Sequence, residues 1–214
     1  MRVLKTNEGE IFVVYLFDQL KEFTEDMFSQ GLARLPAERQ QKTLTYRQKL
    51  DQKLSVLGYV LLSYGLKNEY GISEKIQFSY TAKGKPLLTD YPQIHFNLSH
   101  CKNGVICAIH TCDVGVDIEA ISSYDAQLAE YVCNEHELKQ INKSDNKALA
   151  FTKIWTKKES LMKQNGLGLR DDLKTIDTID SEAVTLVDPD EAYVFSIAGM
   201  SLAELGLRTE RFRA

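Results

Sequence analysis

Three features of the chain predict an α+β fold. Two long stretches carry helical periodicity, short β-branched segments are grouped after each of them, and single strands do not alternate regularly with single helices. The segment Ile11-Phe-Val-Val-Tyr-Leu-Phe17 is dense in β-branched and aromatic residues and predicts a buried strand. Helices are predicted over 19–32, 36–46 and 48–69, the second opening with Pro36 at a position that suits a first turn. In the third, Leu50, Leu54, Leu57, Val60, Leu61 and Tyr64 form one apolar stripe, and Gly65 and Gly71 mark its end. Strands are predicted over 76–80, 94–99, 104–110 and 114–119, with Lys83-Gly-Lys-Pro86 as a turn. Further helices fall over 126–132, 135–141 and 146–164. The last is free of Pro and Gly, lines up Ala148, Phe151, Ile154 and Leu161, and is stopped by Asn165-Gly-Leu-Gly168. Strands over 175–179, 183–187 and 192–198 complete the second half. No sequence repeat relates the halves.

Composition bounds the function. A chain of 214 residues allows one elaborated domain or two compact lobes. Lys and Arg number 26 against 30 Asp and Glu, a net charge of -4, so no broad positive field for gripping nucleic acid is expected. The N-terminus MRVLKTNEGE predicts no signal peptide, and no apolar run approaches the ~20 residues of a membrane span. Cys101, Cys107, Cys112 and Cys133 lack the C-x-x-C spacing of zinc sites, which predicts reduced cysteines and a cytoplasmic protein.

Three places could carry chemistry. In Gly115-Val-Asp-Ile-Glu119 an extended backbone sends Asp117 and Glu119 to one face and Val116 and Ile118 to the other. Paired carboxylates are the oxygen ligands that Mg²⁺ prefers, although a half-exposed strand with two solvated acids would look the same. Trp155, Glu159 and Lys163 recur every four residues, forming a stripe of aromatic anchor, acid and cation; an ordinary helix-surface pair is the plainer alternative. Phe96-Asn-Leu-Ser-His100 ends a strand in polar groups, with a hydroxyl from Ser99 and an imidazole from His100, and Gly84-Lys85-Pro86 presents an ammonium from a turn.

Taken together and in order, G-K-P, F-N-L-S-H, G-V-D-I-E and W-T-K-K-E-S-x-x-K-x-x-G-x-G-L resemble the 4'-phosphopantetheinyl transferases, specifically the larger single-chain, surfactin-synthetase-activating type. The motifs run from Gly84 to Leu169. The resemblance implies two similar α/β lobes related by a pseudo-twofold, 1–112 and 113–214, each with a long helix on an antiparallel sheet and the active site between them. It implies transfer of the phosphopantetheine arm of coenzyme A to a serine of an apo acyl or peptidyl carrier protein, with release of adenosine 3',5'-bisphosphate. The metal would be Mg²⁺ on Asp117, Glu119 and Glu159, with Glu159 and Lys163 catalytic. Lys158 and Lys163 would meet coenzyme A phosphates, together with Lys85, Ser99 and His100. Arg39, Lys42 and Arg47 are the early basic residues that fit the 3'-phosphate contacts. Lys153 and Lys157 are expected on the rim that meets the carrier, and a monomer is expected because the cleft is made within one chain. The alternatives are a homologue that binds coenzyme A or a carrier without turnover, and another metal-dependent phosphoryl transferase.

Overall fold

A computed structural model describes residues 1–5, 12–166, 168, 173–190 and 192–199, and the backbone of 210–211. Its strands are β1 (Arg2–Lys5), β2 (Phe12–Phe17), β3 (Phe78–Tyr80), β4 (Pro86–Leu88), β5 (His95–Cys101), β6 (Gly104–His110), β7 (Gly115–Ala120), β8 (Val184–Val187), β9 (Tyr193–Ala198) and β10 (Glu210–Arg211). Its helices are α1 (Glu25–Arg34), α2 (Ala37–Thr45), α3 (Lys49–Tyr70), α4 (Ala126–Val132), α5 (Glu135–Lys143) and α6 (Lys147–Asn165). The fold is α+β, with helices interspersed among small antiparallel sheets.

A five-stranded sheet runs β10-β1-β2-β6-β5, a three-stranded sheet runs β7-β9-β8, and β3 and β4 form a separate hairpin. Alternation along the strands buries both faces of the larger sheet. Val13, Tyr15, Val105, Cys107 and Ile109 point to the α3 side, where Leu54, Leu57, Leu61 and Leu62 meet them. Phe12, Val14, Leu16, Ile106 and Ala108 point the other way, onto Val116, Ile118, Phe195 and Ile197 of the smaller sheet. Helix α6 covers the far side of that sheet. The layers are therefore helix, sheet, sheet, helix.

Two glycines let layers approach closely. A Cβ on Gly115 would lie 1.9 Å from the Ser160 carbonyl oxygen, so α6 rests directly on the start of β7. A Cβ on Gly65 would lie 2.5 Å from Ile109 and 2.7 Å from Tyr15, so this residue belongs to the packed body of α3 and not to its end. Gly71 closes that helix with φ +70°.

Several predicted boundaries move. The helix expected over 19–32 begins as a 3-10 turn, Leu20–Glu22, and α1 starts only after Thr24, whose hydroxyl accepts from the Met27 amide. Short strands β1 and β4 have no counterpart in the prediction. Part of the first predicted strand, Ile11, lies outside the described residues. The strand expected over 175–179 is not formed: a 3-10 turn, Leu173–Thr175, leads into irregular chain. The reason is competition for backbone groups. Lys158 takes the carbonyls of Leu173 and Ile176, Lys157 takes that of Thr178, and Glu137 accepts from the Thr178 amide. No helix among the described residues is long and apolar enough to cross a membrane.

Candidate active site

The site begins at the edge where β5 and β7 lie side by side without pairing. On β5, Phe96 faces the α3 core, so the neighbouring Asn97 and Ser99 turn toward β7. The buried Asn97 side chain accepts from the Val116 amide at 2.9 Å, a side-chain bond that replaces a sheet bond and fixes one strand against the other. One step along, the Ser99 hydroxyl donates to Asp117 Oδ1 at 2.8 Å. From α6, Lys163 Nζ donates to the same oxygen at 2.6 Å and to Ser99 Oγ at 3.0 Å.

Asp117 is buried, and its second oxygen, Oδ2, has no hydrogen-bond partner. An unmatched buried carboxylate oxygen is costly and points to a group that completes it. The neighbouring acids are similarly undercompensated. Glu119 is pushed up to about 7, first by burial and then by the charge of Asp117, against the opposing hydrogen bond from Trp155 and the charge of Lys163. Glu159 is also raised, by burial and by Asp117, with Lys163 opposing. The strand and the helix thus bring Asp117, Glu119 and Glu159 into one interacting cluster. Among the described residues, however, no three His, Cys, Asp or Glu side chains are arranged as a ready-made metal centre. The acids share a field more than a set of ligand positions, and Lys163 holds one of the oxygens. The donor set and the orphaned Asp117 oxygen nevertheless fit a hard divalent cation.

The expected phosphate contacts separate into groups. Lys163 is on the cluster. His100 opens to solvent at the end of β5 and is held below its ordinary pKa, chiefly by surrounding protein and next by Lys163. Lys85 reaches across to α6, donating to the Gln164 carbonyl at 2.7 Å with Asp113 at 3.6 Å, and burial lowers its pKa. Arg39 lies over the Phe78 ring, 5.0 Å from its centroid. Lys42 and Arg47 are exposed on α2 and the link to α3, and among the described residues no hydrogen bond or ion pair ties them or Arg39 to the cluster.

Lys158 must be corrected. It is fully buried, its ammonium paired with Glu137 at 2.8 Å and donating to the carbonyls of Leu173 and Ile176. All three of its protons are used inside the protein, so it presents nothing to a phosphate. Helical geometry explains the difference, because Lys158 and Lys163 lie on different faces of α6. One feature escaped the sequence reading, the Asn97 bond to β7; Trp155 also acts on Glu119, opposing the rise in its pKa.

A model of the 4'-phosphopantetheinyl transferase superfamily matches residues 113–196, and a model described as 4'-phosphopantetheinyl transferase, N-terminal, matches residues 22–112. The 4'-phosphopantetheinyl transferase ffp of Bacillus subtilis is 30% identical over 163 residues, covering 75% of this chain and 71% of that protein. The chain belongs to the 4'-phosphopantetheinyl transferase superfamily. It is similar as well to the 4'-phosphopantetheinyl transferase Sfp of Bacillus subtilis (strain 168), at 29% identity with the same coverage. The 4'-phosphopantetheinyl transferase gsp of Aneurinibacillus migulanus is 34% identical over 151 residues, 69% of this chain and 63% of that protein. The chain is of the Sfp-like type, and the cluster of Ser99, Asp117, Glu119, Glu159 and Lys163 lies within the matched residues.

Proposed function

We propose that the chain moves the 4'-phosphopantetheine arm of coenzyme A onto a serine hydroxyl of an apo acyl or peptidyl carrier protein, releasing adenosine 3',5'-bisphosphate. The observation that carries this reading is the buried, unpartnered oxygen of Asp117, in a cluster with Glu119 and Glu159 and beside the Lys163 ammonium. Mg²⁺ is the ion proposed there, held by these three acids. When bound, it would supply positive charge to the diphosphate as negative charge grows on the leaving nucleotide.

The residues divide the remaining work. Glu159 takes the serine proton as the serine oxygen bonds to the pantetheine-side phosphorus. The bond from that phosphorus to the bridging oxygen breaks, and the nucleotide leaves with the electron pair. Lys163 stands between Ser99 and Asp117, where a phosphate oxygen can compete for its protons. His100 and Lys85 are proposed as further phosphate contacts, with Arg39, Lys42 and Arg47 on the nucleotide side. No nucleophile is needed from the chain, because the attacking hydroxyl arrives on the carrier.

Two lobes, 1–112 and 113–214, are proposed as the frame of the cleft. The long helices α3 and α6, each laid on an antiparallel sheet, support that division, while β10 pairs with β1 and ties the end of the chain to the first sheet. The proposed protein acts as a monomer in the cytoplasm. The test is to mix it with an apo carrier, coenzyme A and Mg²⁺ and record the intact carrier mass. Addition of one phosphopantetheine is expected, and no nucleotide release should occur when the carrier is omitted. Release without carrier would indicate a different phosphoryl transfer, and coenzyme A binding without product would indicate a homologue that does not turn over.

A further inference from the structure

Helix α6 has a second functional-looking face. Lys157 and Glu159 are two residues apart, about 200° around the helix, so Lys157 points away from the acidic cluster. It lines a cavity of about 400 Å³ bounded by the end of α5, the outer face of α6, residues Thr178 and Ile179, and β8. Leu149, Ile154 and Val187 give this cavity an apolar wall, and Lys153 and Lys157 place two ammonium groups one turn apart beside it.

The ion pairs of α6 are made by Lys158 and Lys163, and neither Lys153 nor Lys157 forms one among the described residues. Lys157 is half-buried, and its Nζ makes one long bond, 3.3 Å, to the Thr178 carbonyl. A half-desolvated cation gains most from a charge-assisted partner, and an apolar wall at its side selects what that partner is attached to. The volume is at the small end of the range for ligand pockets.

We propose that this cavity binds a small amphipathic anion, whose charged head takes Lys157 and Lys153 and whose apolar tail lies on Ile154, Leu149 and Val187. The site is separate from the transfer chemistry and stands whether or not that chemistry is assigned correctly. It replaces the expectation that Lys157 lies on the rim meeting the carrier.

The test uses octanoate as probe, with acetate and octanol as its two halves, followed by amide chemical shifts of the full chain and by calorimetry. Octanoate is expected to bind and to shift amides at Lys157, Thr178 and Val187. Acetate and octanol are each expected to bind at least ten-fold more weakly. Lys157→Met should weaken octanoate at least ten-fold, whereas Lys157→Arg should retain it. If the Met variant does not fold, Lys153→Met should show a smaller loss in the same direction. Equal binding of octanol, undiminished binding by both Met variants, shifts confined to other regions, or no octanoate binding at millimolar concentration would each overturn the proposal. So would a ten-fold rise in the carrier KM of Lys157→Met, which would assign the lysine to carrier docking.

Discussion

Lys158 and Lys163 are five residues apart on one helix, and the protein treats them oppositely. Lys163 keeps 29% of its side chain in solvent and bridges Ser99 to Asp117. Lys158 has none exposed and is locked to Glu137, itself fully buried and bound to the Thr178 amide and hydroxyl. Removing one member of such a pair leaves a buried charge alone. Lys158→Met is therefore expected to lower unfolding free energy by about 3–5 kcal/mol, and Lys158→Met with Glu137→Leu to recover much of the loss, both read by urea denaturation. An unaltered midpoint in the single variant would contradict the pairing. Glu159→Gln is a chemical change by contrast: it should lower kcat by about 10²-fold at saturating Mg²⁺ with the midpoint held. Wild-type turnover would remove Glu159 as the base. The sequence made the grouping of Asp117, Glu119, Glu159 and Lys163 legible because strand alternation and helical spacing are local rules. It could not make Lys158 legible, because its partner is 21 residues away on another helix and its neighbours in sequence are a lysine and a glutamate.

At the scale of elements, the site depends on how β5, β7 and α6 meet. Asn97 replaces a missing strand-to-strand bond with its own amide oxygen. Asn97→Ala would leave the buried Val116 amide unpaired at a cost of about 1–3 kcal/mol. Because β7 carries Asp117, kcat should fall further than coenzyme A affinity does. Equal loss of stability with unchanged kcat would reduce Asn97 to a packing role. Gly115→Ala should be harsher, since its methyl group would collide with the backbone of α6, and a loss of activity with lowered melting temperature is expected. Strands such as β6 and β7 and the helices α4 to α6 were legible from periodicity. The misread stretch 175–179 has strand-like composition, but three long side chains from α5 and α6 claim its backbone groups, and no local pattern announces that.

The whole molecule is joined more tightly than a pair of lobes around a cleft would suggest. One core is shared between the two sheets, with Phe12, Val14 and Ile106 from the first packed on Val116, Phe195 and Ile197 from the second. A polar clasp adds to it: Arg2 pairs with Asp18 and Asp188, and donates to the Tyr193 hydroxyl at 2.9 Å, while that hydroxyl donates to Asp18. Unfolding should therefore be a single transition, with fluorescence of Trp155 in the second half coinciding with far-ultraviolet circular dichroism of the whole chain. Two separated midpoints would mean that the sheets are independent. This union was not legible in the sequence, because the core residues that make it lie in four strands, β2, β6, β7 and β9, each of which reads as an ordinary buried strand.

Asp117 Oδ2, buried and without a hydrogen-bond partner, lies where β7 meets β5 and is the proposed focus of the chemistry. The most direct measurement is the rate at which apo carrier gains phosphopantetheine, compared between the native chain and Asp117→Ala by intact-protein mass spectrometry in Mg²⁺. A drop of at least about 10²-fold with the melting temperature preserved is expected. A variant that modifies the carrier at the native rate would contradict the assignment of the carboxylate cluster as the reaction centre.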